Sequence, residues 1–285
     1  MIRFQTITVA VLLAALTVWL PANVVHAIAL GNAKELAPHR AVYEMTLDTS
    51  RPAKGISGVH GRMVFEFAGS GCDGYTMNMR LVTRVEAKTG QASVTDLRSS
   101  TWEQGTGRQY RFNSSHYRGE KLEDSTSGDA ERFENDSRVE VHVRVPNAKN
   151  IKLDGPVLFP TQHSLKILRA AKSSKRVLQA RVYDGSSNGD KVYATTAFIG
   201  KKLKPGFKHD SKKITNDDAL EKLASWLVSI SYFDTDEKAT QTPDYQLSFR
   251  LYENGISREL LIDYGDFAIK GVLSSLEFIS SPECK

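Results

Sequence analysis

PDYQLSFRLYENGISRELLIDYGDFAIKGVLSSLEFISSPEC, residues Pro243 to Cys284, decides the fold. Asn254-Gly255 stands between two runs in which apolar and polar residues alternate. That dipeptide tolerates positive φ at both central positions, and so favours the tight type I′ turn whose twist matches paired strands. A two-residue loop sets the register: Tyr245 faces Tyr264, Leu247 faces Ile262, Phe249 faces Leu260 and Leu251 faces Arg258. These pairs share one face and nearly every member is large and apolar, so turn chemistry and alternation agree. A third strand follows Tyr264-Gly265-Asp266. Its large residues begin on odd positions, Phe267 and Ile269, and move to even ones, Leu276 and Phe278. That change of parity predicts a bulge near Gly271.

Upstream, strand signals come quickly. They cover His39 to Asp48, Gly61 to Phe67, Tyr75 to Ala87, Ala92 to Glu103, Gln109 to Ser115 and Arg138 to Val145. Tyr75, Met77, Met79, Leu81 and Val85 share one face of the third of these. The polar stretch Gly119 to Asp136 reads as an exposed hairpin or loop. A helix is predicted over Thr161 to Ala171, with Thr161 as N-cap and Leu165, Leu168 and Ala171 as its stripe. A short one is predicted over Thr215 to Ala224, with Asp217 and Asp218 in its first turn. Arg176 to Tyr183 and Lys191 to Ile199 flank a loop as a second hairpin. Trp226 to Phe233 fits either period, and its β-branched and aromatic content favours a strand. Two short helices among so many strands predict a mainly β chain. A single antiparallel sheet of that size must curl or close on itself.

The ends of the chain speak to its location. Arg3 followed by the uncharged run Ile7 to Leu20, the break at Pro21 and Val25-His26-Ala27 read as a cleaved secretory leader, residues 1–27. The run is shorter than the roughly 20 residues that span a bilayer, which favours cleavage over an anchor. Residues 28–285 would then form one exported β domain, with no later transmembrane span. The formal net charge of +5 is mild. Nucleic acid is not an expected partner outside the cytoplasm. Cys72 and Cys284 are the two cysteines, and in an oxidising compartment they read as one disulfide. One free reactive thiol is the alternative, and it would leave the other cysteine unexplained.

Motifs for chemistry are sparse. Asp184, Ser186 and Asn188 resemble the start of a calcium loop, but Thr195 stands where the bidentate carboxylate belongs, and a hairpin turn is the better reading. His163 has no nucleophile or carboxylate beside it in sequence, and packing at a helix start is favoured over catalysis. The other histidines lack metal-ligand spacing, and no cofactor fingerprint occurs. No metal or cofactor is expected. Lys201, Lys202, Lys204, Lys208, Lys212 and Lys213 could form a patch for anionic surfaces, against the simpler reading of a solvated loop.

Several stretches together resemble one family: Gly69-Ser-Gly-Cys-Asp-Gly-Tyr75, Leu158-Phe-Pro-Thr-Gln-His163, Tyr183-Asp-Gly-Ser-Ser-Asn-Gly189 with Ile199-Gly200, Ser231-Tyr-Phe233, Tyr252-Glu-Asn-Gly-Ile256 and Asp263-Tyr-Gly-Asp-Phe267. They are similar to the EipB-like cell-envelope integrity proteins, periplasmic proteins of alphaproteobacteria. The resemblance covers nearly the whole of residues 28–285. It implies a spirally wound β-sheet, like a flattened open barrel, related in shape to lipoprotein carriers, and a disulfide mapping onto Cys72 and Cys284. It also implies a non-enzymatic role in envelope integrity, acting with periplasmic or envelope proteins. On that expectation the concave face holds a lipid or lipoprotein segment. The alternatives are an envelope hydrolase with a dispersed site around His163, and a cell-wall-binding scaffold.

Overall fold

The computed structural model of the chain describes residues 36–50, 53–133, 138–207, 213–235 and 242–280. The expected leader, residues 1–27, and Cys284 lie outside the described residues. The first strands are β1 (His39–Leu47), β2 (Ile56–Ser70), β3 (Gly74–Ala87), β4 (Ala92–Glu103), β5 (Gln109–Arg118), β6 (Lys121–Arg132), β7 (Val139–Val145) and β8 (Lys149–Leu153). Then come β9 (Val157–Leu158), helix α1 (Pro160–Lys172), β10 (Val177–Tyr183), β11 (Val192–Ile199) and helix α2 (Asp217–Glu221). The chain closes with β12 (Ser225–Asp234), β13 (Tyr245–Tyr252), β14 (Ser257–Asp263) and β15 (Ala268–Phe278).

All of these strands join one 15-stranded sheet, in the order β8-β7-β6-β5-β4-β3-β2-β1-β15-β14-β13-β12-β11-β10-β9. The β9–β10 pair is parallel and the others are antiparallel. Two runs of successive neighbours meet where β1 lies between β2 and β15. The period-2 pattern gives the sheet two different faces. Met63, Phe65 and Phe67 of β2 stand opposite Leu81, Met79 and Met77 of β3 on the inner face. Arg80 and Arg98 point outward and share Asp96, at 2.9 and 2.7 Å.

The two ends of that strand order are neighbours in the chain. Only Asp154, Gly155 and Pro156 separate β8 from β9. Such a link spans at most about 14 Å. The sheet is therefore rolled until its first and last strands stand side by side without pairing. Side chains fill the seam. Val139, Val141, Val143, Leu153, Val157 and Tyr183 share one buried cluster. Arg181 Nη1 donates to Asp154 O at 2.5 Å, and Lys149 Nζ reaches Asp190 Oδ2 at 2.5 Å.

The carboxy-terminal hairpin forms, with a different turn. Tyr252 N–H donates to Ile256 O, and Gly255 N–H to Tyr252 O, each at 2.9 Å. Three residues thus form the loop, and Gly255 takes φ 85°. Asn254 does not adopt positive φ, and its Oδ1 accepts the Ile256 N–H at 3.2 Å. The two-residue type I′ expectation is corrected to a type I turn closed by a left-handed glycine. One turn later Glu259 takes φ 58° and forms a bulge. The two irregularities cancel beyond it, so Leu247 faces Ile262 as predicted. Between them the register is one residue off: Leu251 faces Ser257, and Arg258 faces Arg250. Arg258 therefore leaves the inner face that the sequence assigned to it. The parity change in β15 also sits later than expected. Tyr43 faces Leu273 and Val42 faces Ser275, so Ser274 is the extra residue, not Gly271.

Two further readings are settled. The stretch read as an exposed hairpin or loop contains β6, whose inner positions Thr126, Gly128 and Ala130 are small. Phe112 of β5 occupies the space in front of them: a Cβ on Gly128 would lie 2.6 Å from its ring. Trp226 to Phe233 is the strand expected, within β12. Its inner residues Trp226, Val228 and Ile230 are buried, each stabilising the fold by about 1.5–3 kcal/mol.

Candidate functional site

Helix α1 lies inside the rolled sheet. Its start is fixed from a distance. Phe159 is the N-cap residue and its side chain makes no capping bond. Thr161, the expected N-cap, is instead the second residue of the helix. The capping acceptor is Glu103 at the end of β4: its carboxylate accepts the backbone N–H of Thr161 at 2.7 Å and of Gln162 at 3.0 Å. Burial pushes the Glu103 carboxyl up to about 7, against the pull of those two N–H groups and of Arg132. The helix buries more than the predicted stripe of Leu165, Leu168 and Ala171. His163, Ile167 and Ala170 are buried too, as expected for a helix enclosed by sheet.

Leu165, Leu168 and Ala171 share a cluster with Phe67, Tyr75, Ile199, Trp226 and Leu251. Those five side chains sit at one end of their strands. Helix α1 therefore plugs that end. Beyond it lies a cavity of about 400 Å³, within the range of small-molecule sites. Met63, Phe65, Met79, Ile230, Leu247 and Leu260 form much of its wall, and His163, Ser164 and Ile167 of α1 its floor. A second cavity of about 170 Å³ shares Leu36, His39, Phe65 and Gly255 with it. Among the described residues no Lys or Arg lines the larger cavity. Its far end carries Asp184, Tyr232 and Tyr245.

The cavity histidines are held neutral. Burial, and next the charge of Lys166, lowers the His163 pKa from 6.5 to about 4. The Thr195 hydroxyl gives its proton to Ala180 O at 3.0 Å. At 3.3 Å His163 Nε2 must therefore donate to Thr195 Oγ1, which leaves Nδ1 with the lone pair. Thr195 is not arranged as a nucleophile for this base. Burial also lowers the His39 pKa, while its Nδ1 contact with Ala37 O, at 2.7 Å, opposes that.

A pH dependence follows. The unfolded chain takes up a proton at His163 near pH 6.5, and the fold resists it down to about 4. This contribution is complete above pH 6.5 and is lost as pH falls through about 4, a change of about 3 kcal/mol. Glu103 has the opposite sign: its contribution is present below 4.5 and lost as pH rises through about 7. Urea unfolding at pH 7 and pH 4.5 separates the two. His163→Gln should lose less stability on acidification than the wild type, and equal losses would contradict the assignment.

The other predicted sites are scattered. Asp184 to Asp190 is a hairpin turn between β10 and β11, with a single 3-10 turn at Ser187–Gly189. Among the described residues no group of His, Cys, Asp and Glu could hold a metal ion. Of the lysine cluster, Lys208 and Lys212 lie outside the described residues. Lys202 Nζ stands 5.8 Å over the Trp226 ring, and Lys213 pairs with Asp218 at 2.6 Å. Cys72 is in the turn after β2. Sequence reasoning missed Glu103, Tyr232 and Tyr245 as site residues, and weighed Asp184 only as a calcium-loop position or part of a hairpin turn. The one available signal was a carboxylate on the inner-face series Leu97, Ser99, Thr101, Glu103 of β4.

Comparison with known proteins decides the family. The model of the family described as EipB-like matches residues 30–280. The chain belongs to the EipB-like family. It is 35% identical, over 283 residues, to the cell envelope integrity protein EipB of Brucella abortus (strain 2308), covering 99% of this chain and 98% of that protein. The crystal structure of a β-barrel-like protein of a domain of unknown function from Brucella abortus superposes with TM-score 0.78 at 37% identity, covering 87% of this chain and all (100%) of that one. The rolled sheet is thus shared with that β-barrel-like neighbour. Among the described residues no helix is long and apolar enough to cross a membrane.

Proposed function

We propose that this chain is a non-enzymatic periplasmic protein that maintains the cell envelope, through contacts with envelope proteins and by holding an acyl chain or lipoprotein segment. The single observation behind the second part is the cavity of about 400 Å³ floored by α1 and walled by apolar side chains. The envelope role is supported by the name of the Brucella abortus relative. Export is supported by the leader pattern at residues 1–27. Lys201, Lys202, Lys204 and Lys213, all exposed, are the described part of the proposed contact with anionic surfaces.

Native mass spectrometry of protein purified without detergent should show one additional apolar ligand. Leu247→Trp, which fills the cavity, should remove that mass while the far-UV circular dichroism stays that of the wild type. The same variant should fail to restore detergent tolerance to a strain lacking the gene. A ligand-free wild type, together with full restoration by the filled variant, would overturn the carrier reading and leave protein contacts as the function.

A further inference from the structure

The chemistry of the cavity's far end narrows what it can hold. Tyr232 and Tyr245 are a directly opposed pair on β12 and β13, with rings stacked at 4.5 Å and 11°. They lie several residues from Trp226 and Leu251, which touch the plug, and so at the opposite end of the sheet. Both are half-buried, and neighbouring Tyr264 is 44% exposed, so this end meets solvent. Tyrosine suits such a place, where one side is apolar and the other wet.

The hydroxyls of Tyr232 and Tyr245 make no hydrogen bond to another described residue. Three other inward tyrosines differ. Tyr43 donates to Ser257 O at 2.8 Å, Tyr110 to Asp184 O at 2.9 Å and Tyr183 to Gly189 O at 2.8 Å. These three hydroxyls are matched by backbone carbonyls, and those of the mouth pair are not. Burial raises the pKa of both mouth phenols, so they remain proton donors. Beside them Asp184 lines the cavity, with Oδ1 taken by the Ser186 N–H at 2.9 Å.

Charge settles which head group fits. The larger cavity contains no lysine or arginine among its described lining residues, and its two histidines are neutral. An ionised carboxylate drawn in to the tyrosine hydroxyls would give up part of its hydration and meet no lysine or arginine of the described lining. An ester or amide carbonyl carries no charge and accepts two hydrogen bonds.

We propose that the cavity selects an acyl chain joined to an uncharged ester or amide, its carbonyl bound by the Tyr232 and Tyr245 hydroxyls, over the free fatty acid. This rests on the carrier reading above and gives it a ligand class. Native mass spectrometry titrations at pH 7.5 would use three probes with one chain: palmitate, 1-palmitoylglycerol and N-palmitoylglycinamide. The two neutral probes should bind about 10-fold more tightly than palmitate, the worth of one to two hydrogen bonds. Tyr232→Phe/Tyr245→Phe keeps both rings and removes only the hydroxyls. It should bind the two neutral probes about 10-fold more weakly than the wild type does. Palmitate binding as well as the neutral probes, or neutral-probe affinities unchanged in the double variant, would overturn the selection while leaving the carrier reading intact. Binding of none of the three would overturn both. A preference for only one neutral probe, whose affinity falls in the double variant, supports the proposal and distinguishes ester from amide.

Discussion

Asp217→Ala is expected to destabilise the protein by about 3–5 kcal/mol, because it takes the carboxylate away from a buried guanidinium. Arg258 is 0% exposed and Asp217 is 1% exposed. Arg258 Nη1 donates to Asp217 Oδ1, and the ion pair joins α2 to β14. Removing the carboxylate leaves the guanidinium desolvated beneath a helix of a single turn. Leu220 of that helix belongs to the cluster that contains Tyr252 and Ile256, so its packing would loosen as well. Urea unfolding measures the loss. The double variant Asp217→Leu/Arg258→Met replaces both charges by apolar volume and should recover most of it. A single variant as stable as the wild type would mean that water already reaches Arg258.

The second large effect concerns the proposed Cys72–Cys284 disulfide. In β1, His39 stands between Phe67 of β2 and Phe278 of β15. Both outer strands run off the sheet at that end, separated by about 10 Å across β1. Cys72 follows Phe67 by five positions and Cys284 follows Phe278 by six, so a covalent tie between them is within reach. No free cysteine occurs among the described residues. A bridge closing a loop of about 200 residues stabilises by about 5 kcal/mol on the chain-entropy account. That is comparable with the whole stability of many domains. Cys72→Ser should therefore lower the melting temperature markedly and expose the carboxy terminus to proteolysis. Wild-type melting in oxidising buffer would remove the bridge from the account.

What the sequence made legible follows from how local each cause is. Alternation placed Leu247 opposite Ile262 correctly, because inner-face burial constrains every second residue of both strands. The turn was misread because Asn254 uses its side chain on the Ile256 N–H, which no dipeptide rule contains. The bulge at Glu259 restored the register, so two errors left the distant pairs right and Arg258 wrong. Strand β6 was obscured because Phe112 fills the space that its own residues leave empty. The candidate site was less legible. Glu103 caps a helix that begins 57 positions later in the chain, and Tyr232 and Tyr245 gain meaning only as neighbours. His163 was placed correctly as a packed residue at the start of a helix, and its cavity became visible only once the sheet was rolled.

The missing ladder between β8 and β9 has a mechanical consequence. Everywhere else round the cylinder, a change in girth would tear rows of backbone bonds. Along this one line it would part side-chain contacts alone, among them those of the buried valines and aromatic rings and of the long cationic side chains Lys149 and Arg181. The wall is thus a cuff with a clasp, and its compliance is concentrated where the chain itself, through Asp154 to Pro156, limits how far the clasp can spring.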